Sequence, residues 1–574
     1  MRLPVLLLLI SAALLDGSAL PAVSSYEFTA FRMQQFNLGQ NKHGCRGAMV
    51  VAESRAAEDP ALSRRCVLMK VSDFTPTTPG SSEQKAAAVL VLLPRNMSLL
   101  GQEERRTFME TEALVLRQDL LMPLYVAPED DQLLFMYQEL QQTVASRSSS
   151  IFSRVLRSMV TSTGFQILVI NNSPIKPTTD TTVSGVLEGS GEDLPTIVVT
   201  AHYDSFGLAP FVSFGADSNG SGVVLLLELI RLFNKLYQSQ RTRPKFNLLF
   251  SLTGAGKYNF IGTKRWLEEN LDHAEWSLLQ DNVAFVLCLD TLGSGDELFV
   301  HVSKRPAPES PLAGFTAVLE EVLSSRFPAV KLSLVHKKIN LGESSVSWEH
   351  ERFSLRRISA LTLSRLQTHK SETRGSVLDV RCFVDDQRLR RNSVIVAEAL
   401  GRFMFNLSHL VRKITLFSLN VFVFTLKFVC LFVCLFVCSG LSQRLAAVQR
   451  KTGGPGDPDL GLSLGLGLGP RATQLQNQDP DQVLVLDSLE QEFRQNLNKV
   501  QRYNFRMDKR EPEVTFFDQM KQTIVMYRVK PAAFDLFLGG CIAVYLGLVY
   551  SAVQSFDSFF LKLKAAVKVK NKSQ

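Results

Sequence analysis

Between residues 194 and 405, short continuous apolar runs alternate with longer stretches in which apolar residues recur every three to four positions. LPTIVVTAHYD, KFNLLFSLT and NVAFVLCLD read as fully buried strands, and two of them end in an acid. KLSLVH and ISALTLS are weaker strand candidates, whereas GVVLLLELIRLFNKLY has the period of an amphipathic helix. This alternation predicts an α/β domain with a mixed, mostly parallel sheet and flanking helices. In such sheets, polar residues at the carboxyl ends of the strands mark where ligands bind. Upstream, AAAVLVLLP (86–94) predicts a buried strand and 135–160 one or two amphipathic helices, while 173–185 reads as a linker. Residues 481–530 are polar and helical in tone.

Three segments are more apolar than this pattern needs. The first has Arg2, an apolar stretch over 4–15 and then Gly17, Ser18 and Ala19, which predicts a cleaved secretory signal over 1–22; the alternative is an uncleaved anchor. The last, 536–553, carries no charge and reaches the minimum length of a span. The tail after it holds Lys562, Lys564, Lys568, Lys570 and Lys572 with no acid after Asp557, which predicts a cytoplasmic end and a single-pass type I protein. The alternative for 536–553 is a buried core helix. The middle segment, 414–440, is long enough to span but is built almost wholly of Phe, Val, Leu and Cys around Lys427, and GDPDLGLSLGLGLGP follows it. A span there would place the basic tail outside, so it is either an insert foreign to the fold or a real extra span. The expected organisation is a signal (1–22), an N-terminal luminal α/β region (23–190), the strand-and-helix domain (191–410), an atypical insert (411–475), a helical juxtamembrane region (476–532), a transmembrane helix (533–555) and a basic tail (556–574).

Composition adds exclusions. With 574 residues, 45% hydrophobic and 21% charged, the chain is neither disordered nor a many-helix transporter. A net charge of +8 without a dense basic stripe is no nucleic-acid signal. Of the eight cysteines, Cys45 and Cys66 form a possible disulfide, Cys288 sits in an apolar run as a buried thiol, and no CxxC metal pattern occurs. Sequons at Asn96, Asn171, Asn219 and Asn406 fit a secretory-pathway protein; the one at Asn571 falls in the cytoplasmic tail.

His202-Tyr-Asp204 ends one strand, Asp217 lies in GADSNGSG just before a helix, and Asp290 ends another strand. Over about 195–405 this resembles the di-zinc aminopeptidases. The resemblance implies that His202, Asp217 and Asp290 stand at metal-ligand positions and that Asp204 orients the imidazole. It also implies that the family's Glu-Glu pair falls on Gly256 and Lys257, so that the general base and one ligand are lost. His369 is the nearest candidate for the family's late histidine. The site is then vestigial, with no catalytic residue, metal or cofactor. A single residual metal on His202, Asp217 and Asp290 is the alternative, and a glycan on Asn219 would crowd the entrance.

EFTAFRMQQFNLGQ, LSRRCVLMK, GEDLPTIVVTAHYDSFGLAP, GTKRWLEENLDH, SLLQDNVAFVLCLDT, WEHERFSLRR and MYRVKPAAFDL are similar to the nicalin family, relatives of nicastrin, over nearly the whole chain. The departure is about 410–475, where the family has a shorter hydrophilic connector. The resemblance implies a non-enzymatic endoplasmic reticulum membrane protein. Its implied partners are Nomo (Nodal modulator), a small multi-spanning membrane protein, and the Sec translocon with the ribosome-associated machinery for multi-pass membrane proteins. Links to Nodal signalling and receptor assembly come with it. Residual zinc metallopeptidase activity or peptide binding by the degenerate pocket are the competing readings. Gly539, Ala543 and Gly547, spaced by four, predict a close helix-packing face in the last span.

Overall fold

The computed structural model describes residues 25–59, 62–75, 86–145, 164–170, 179–272, 277–279, 282–343, 345–407, 480–506, 513–517, 521–529, 532–556 and 560–561. The signal, the insert at 411–475, Asn171 and nearly all of the basic tail lie outside the described residues.

The fold is a mixed α/β, peptidase-like body. Its centre is an eight-stranded sheet in which Thr196–His202 lies between Asn247–Thr253 and Val283–Leu289, parallel to both. Ala360–Ser364 continues the parallel set beside Val283–Leu289. Thr196–His202 and Asn247–Thr253 are buried at every position, as strands covered on both faces must be. Helices Ser221–Gln238, Pro311–Arg326 and Asp386–Met404 supply much of the main core, with Phe233, Phe315 and Ile395 fully covered. Both weak strand candidates are strands: Ala360–Ser364 is interior, and Lys331–His336 is an edge.

In the N-terminal region the helices Gln102–Leu116 and Asp131–Ala145 alternate with strands that belong to a barrel. Seven strands close a barrel in the order Tyr26–Arg32, Lys521–Val529, Gly164–Ile170, Val51–Ala56, Arg65–Lys70, Ala88–Leu93 and Leu124–Pro128. The run 86–94 is thus the strand Ala88–Leu93, buried throughout. Two expectations are corrected. The linker-like stretch 173–185 contains most of Thr179–Leu187, which pairs with both Asn247–Thr253 and Asn498–Arg506; its threonines are β-branched and suit a strand. The helical tone of 481–530 holds only for Pro480–Asn496, and the rest gives the strands Asn498–Arg506, Val514–Phe516 and Lys521–Val529. In Lys521–Val529 burial alternates, with Gln522, Ile524 and Met526 inward, the period-2 signature of a half-buried strand.

Cys45 and Cys66 are both buried and are not joined to each other in a disulfide. Cys45 lies against the Met33 sulfur at 3.4 Å. Cys66 sits in the barrel interior, where burial pushes its thiol up to about 12. Cys288 is a buried free thiol.

The helix Ala532–Gln554 follows the barrel's last strand, and Leu536, Val544, Tyr545, Leu546 and Val553 on it are exposed. Taken over the described residues alone, no helix is long and apolar enough to cross a membrane.

Because Lys521–Val529 bridges Tyr26–Arg32 and Gly164–Ile170, barrel stability depends on its inward side chains. Ile524→Ala is expected to lower unfolding stability by about 2–5 kcal/mol. Lys521→Ala on the exposed side should change it by no more than about 0.5 kcal/mol. Urea unfolding followed by far-UV circular dichroism checks both; equal effects would mean that the strand does not carry the barrel.

Candidate functional site: carboxylates neutralised by side-chain cations

The parallel strands bring their carboxyl ends together. His202 ends one strand in register with Thr253 of the next, and Asp290 follows Val283–Leu289. Asp217 sits in a single wide turn, Ala216–Gly220, that opens the helix Ser221–Gln238. Gly215 enters that turn at φ +64°, and a Cβ there would overlap the Asn219 side chain. Asp379 fixes the turn by accepting the N–H groups of Asp217 and Ser218, both at 2.9 Å.

His202, Asp204, Asp217, Asp290, Gly256 and Lys257 are therefore neighbours, but their partners are not a metal's. Asp217 accepts from the Gly293 N–H and the Ser294 hydroxyl, both at 2.6 Å, and pairs with the Arg365 guanidinium at 2.9 Å. Asp290 pairs with Arg374 at 2.8 Å and accepts the Thr291 hydroxyl at 2.6 Å. Burial raises the Asp290 carboxyl; Arg374 foremost and Lys257 pull it back, and the net lies well below the usual carboxylate range. Lys257 Nζ donates to the Arg374 carbonyl at 2.9 Å. Burial lowers this ammonium to about 8, with Asp290 opposing the shift.

Asp204 does not orient the imidazole. It accepts the backbone N–H groups of Gly256 and Lys257 at 2.7 and 2.8 Å and so anchors the loop at the expected Glu-Glu position. That loop passes so close beneath His202 that a Cβ on residue 256 would overlap the ring. Ala255, Asn259 and Phe260 in it take left-handed backbone angles, a conformation that costs non-glycine residues of order 1–2 kcal/mol each. His202 is 1% exposed, and neither ring nitrogen has a hydrogen-bond partner. Burial, and then Lys257, push it down to about 3, so the ring is neutral.

This donor set does not fit a metal centre. Both ligand-position aspartates are held by guanidinium groups, and Lys257 adds a third cation. Among the described residues no group of three or more His, Cys, Asp or Glu side chains is arranged to hold a metal ion. His369 lines a separate cleft together with His301, Trp348 and His350. Asn219 is fully buried and donates to the Tyr203 carbonyl at 2.7 Å, a position that no glycan can occupy in the folded chain. Asn96 and Asn406 are exposed. Asn96 caps a short 3-10 turn, with its side chain accepting from the Ser98 N–H.

An aromatic cluster packs on the loop beside the site. Phe36 and Phe516, opposite each other in a small sheet, pack with Phe206 around Tyr258 of the loop. Glu513 pairs with Lys264 and, at 3.6 Å, with Arg265 on the helix beyond that loop. On another side, Glu112 of the helix Gln102–Leu116 accepts the N–H groups of Leu208 and Val377 at 2.7 and 3.0 Å.

Sequence reasoning missed Arg365, Arg374, Asp379 and Glu349. The only signal for the two arginines was a basic residue directly after a strand (LTLSR) and another in SETRG. Glu349 lies buried behind the site, where one carboxyl oxygen accepts the hydroxyls of Thr200, Thr253 and Thr263 at 3.1, 2.9 and 2.7 Å.

Two outcomes follow. Arg374→Ala leaves Asp290 buried without its guanidinium and is expected to cost about 3–5 kcal/mol; adding Asp290→Asn should recover a large part. A double-mutant cycle by urea unfolding checks this, and simple additivity would contradict it. Burial raises the Glu349 carboxyl from its ordinary 4.5 to about 7, so the folded state holds that proton more tightly than the unfolded chain. Its contribution is therefore full below about pH 4.5 and is lost as pH rises through about 7. Glu349→Gln, which cannot ionise, should gain stability relative to the parent between pH 5 and 8. Parallel pH–stability curves would contradict the assignment.

Residues 182–369 match the model of peptidase family M28. The chain is 43% identical over 576 residues to the BOS complex subunit NCLN of Homo sapiens, covering 100% of this chain and 96% of that one. It is 32% identical over 415 residues to Nicalin of Caenorhabditis elegans, covering 70% and 73%. The crystal structure of the gamma-secretase component Nicastrin superposes with a TM-score of 0.56 at 11% identity, over 87% of this chain and 99% of that one, which is a likeness of fold. On the near-full-length identity, the chain belongs to the nicalin family, the BOS complex subunit NCLN group, and carries a peptidase M28-like domain.

Proposed function

We propose that this chain is a non-catalytic subunit of a BOS-type complex in the endoplasmic reticulum membrane, its peptidase-like body serving as a luminal scaffold. The observation that carries this reading is the pairing of the buried Asp217 with Arg365 and of the buried Asp290 with Arg374. General-base hydrolysis by a metal-bound water needs carboxylates free to bind the ion and a base beside it. Here side-chain cations neutralise the carboxylates, and the replacement of the family's Glu-Glu pair by Gly256 and Lys257 leaves no base.

The exposed apolar side chains of Ala532–Gln554 support a single C-terminal span, with the bulk of the chain luminal and the basic tail cytoplasmic. Gly539 and Gly547 have open space where a Cβ would stand, which supports close packing of that helix against a membrane partner. In this reading the partners are Nomo and a small multi-spanning protein, and the assembly joins the Sec translocon in multi-pass membrane protein biogenesis. Effects on Nodal signalling and receptor assembly are then consequences of which membrane proteins are made.

Tagged full-length chain purified in mild detergent is expected to retain Nomo and translocon subunits. After equilibration with zinc it should hold less than about one tightly bound ion and cleave no aminoacyl substrate. Two bound ions with hydrolysis would overturn the non-catalytic reading, and recovery of the chain without any membrane partner would overturn the scaffold reading.

A further inference from the structure

Beside the filled site lies a second cavity that no step above uses. It is a cleft of about 310 Å³, and Lys337, Lys370, His369, His301, His350 and Trp348 are among its lining residues. Trp348 stacks on His301 at 4.3 Å between ring centres, and its ring also lies 4.3 Å from the Arg374 guanidinium. The indole is thus clamped from its neighbours and forms a rigid aromatic element of the wall. Glu351, the acid in the lining, is turned inward, accepting the Ser347 N–H at 3.1 Å. Lys337 donates to the Ser347 hydroxyl at 3.2 Å. Among the described residues no carboxylate lies within ion-pair distance of Lys337, Lys338 or Lys370. Lys337 and Lys370 outnumber Glu351, the one acid in the lining, so the cleft carries an excess of positive charge at its rim and an aromatic face within.

The cleft opens at the end of Lys331–His336, the outermost strand of the eight-stranded sheet. On its inner side the Lys331 N–H donates to the Asp296 carbonyl at 3.0 Å and the Lys337 N–H to the Val302 carbonyl at 3.1 Å. In a parallel ladder such alternation turns both backbone groups of Leu332, Leu334 and His336 to the outer side. No strand among the described residues pairs there. Leu334 is 48% exposed, an apolar residue on an open edge. Open edges recruit extended peptides, with backbone hydrogen bonds giving affinity and adjoining pockets giving selectivity.

We propose that this edge and cleft bind an acidic, extended peptide segment of a partner protein, which adds as a ninth strand beside Lys331–His336 and seats a carboxylate between Lys337 and Lys370. Charge complementarity selects the acidic partner, and the outward backbone groups of Leu334 select an extended one. The proposal deepens the scaffold reading by giving that scaffold a contact surface. Its readout is peptide binding, however, so it can fail while the copurification above succeeds.

The test uses full-length chain in detergent and a fluorescein-labelled nonapeptide of alternating Glu and Val, with a Lys/Val peptide as control. Fluorescence anisotropy is expected to show saturable binding of the acidic peptide alone. Lys337→Glu with Lys370→Glu, both surface changes, should weaken it at least tenfold. Leu334→Pro deletes an outward N–H while sparing the inner ladder. It should weaken binding to a similar degree with circular dichroism unchanged. Absence of saturable binding, equal binding of the Lys/Val peptide, or unchanged affinity in the charge-reversed variant would each overturn the proposal. If charge reversal abolishes binding but Leu334→Pro does not, strand addition is overturned.

Discussion

A buried carboxylate must be matched by positive charge or by hydrogen-bond donors, and this constraint organises the centre of the molecule. In a working metallopeptidase the match comes from metal ions. Here Arg365 supplies the charge to Asp217, in the turn that opens a helix, and Arg374 supplies it to Asp290 at the end of a strand. Arg374 continues outward onto the face of Trp348, so one side chain joins the buried carboxylate to the wall of the neighbouring cleft. Asp204 and Asp379 meet the same requirement with backbone N–H groups and thereby hold two loops in shape. The buried charges of the site thus act as internal bracing.

The left-handed residues of the loop over 255–260 belong to the same account. Ala255, Asn259 and Phe260 hold conformations that an unconstrained loop would relax. Neighbours oppose that relaxation: Asp204 grips the loop's start, the Asn259 side chain accepts the Val346 N–H at 2.8 Å, and Arg352 donates to the Asn259 carbonyl. The aromatic cluster of Phe36, Phe206 and Phe516 then packs on Tyr258. A side chain at 256 would set its Cβ into the His202 ring, so this position takes no larger residue without a shift of the loop or the ring.

Legibility in the sequence followed the range of the interactions. TIVVTAH, NLLFSLT and VAFVLCL carry their burial in their composition, and the residues at their ends were identifiable because strand ends are where such sheets place chemistry. The barrel was not legible, because Lys521–Val529 joins partners some 350 to 500 residues earlier in the chain, and no local pattern encodes such pairing. Thr179–Leu187 was masked by polar threonines whose strand preference depends on neighbours far away in sequence. The cations of the site were hidden for a related reason: an arginine reads as a surface residue until the carboxylate it faces is known. Cys45 and Cys66 read as a possible bridge, yet they lie in different core clusters.

The last two long strands of the body have a consequence for the order of synthesis. Asn498–Arg506 completes the large sheet and Lys521–Val529 closes the barrel, and the exposed helix begins at residue 532. Until those final strands emerge, the barrel keeps an open seam and Thr179–Leu187 an unpaired edge. The barrel and the large sheet are thus completed only shortly before the C-terminal helix is made, and a chain interrupted before residue 529 carries open strand edges of the kind that pair with other chains.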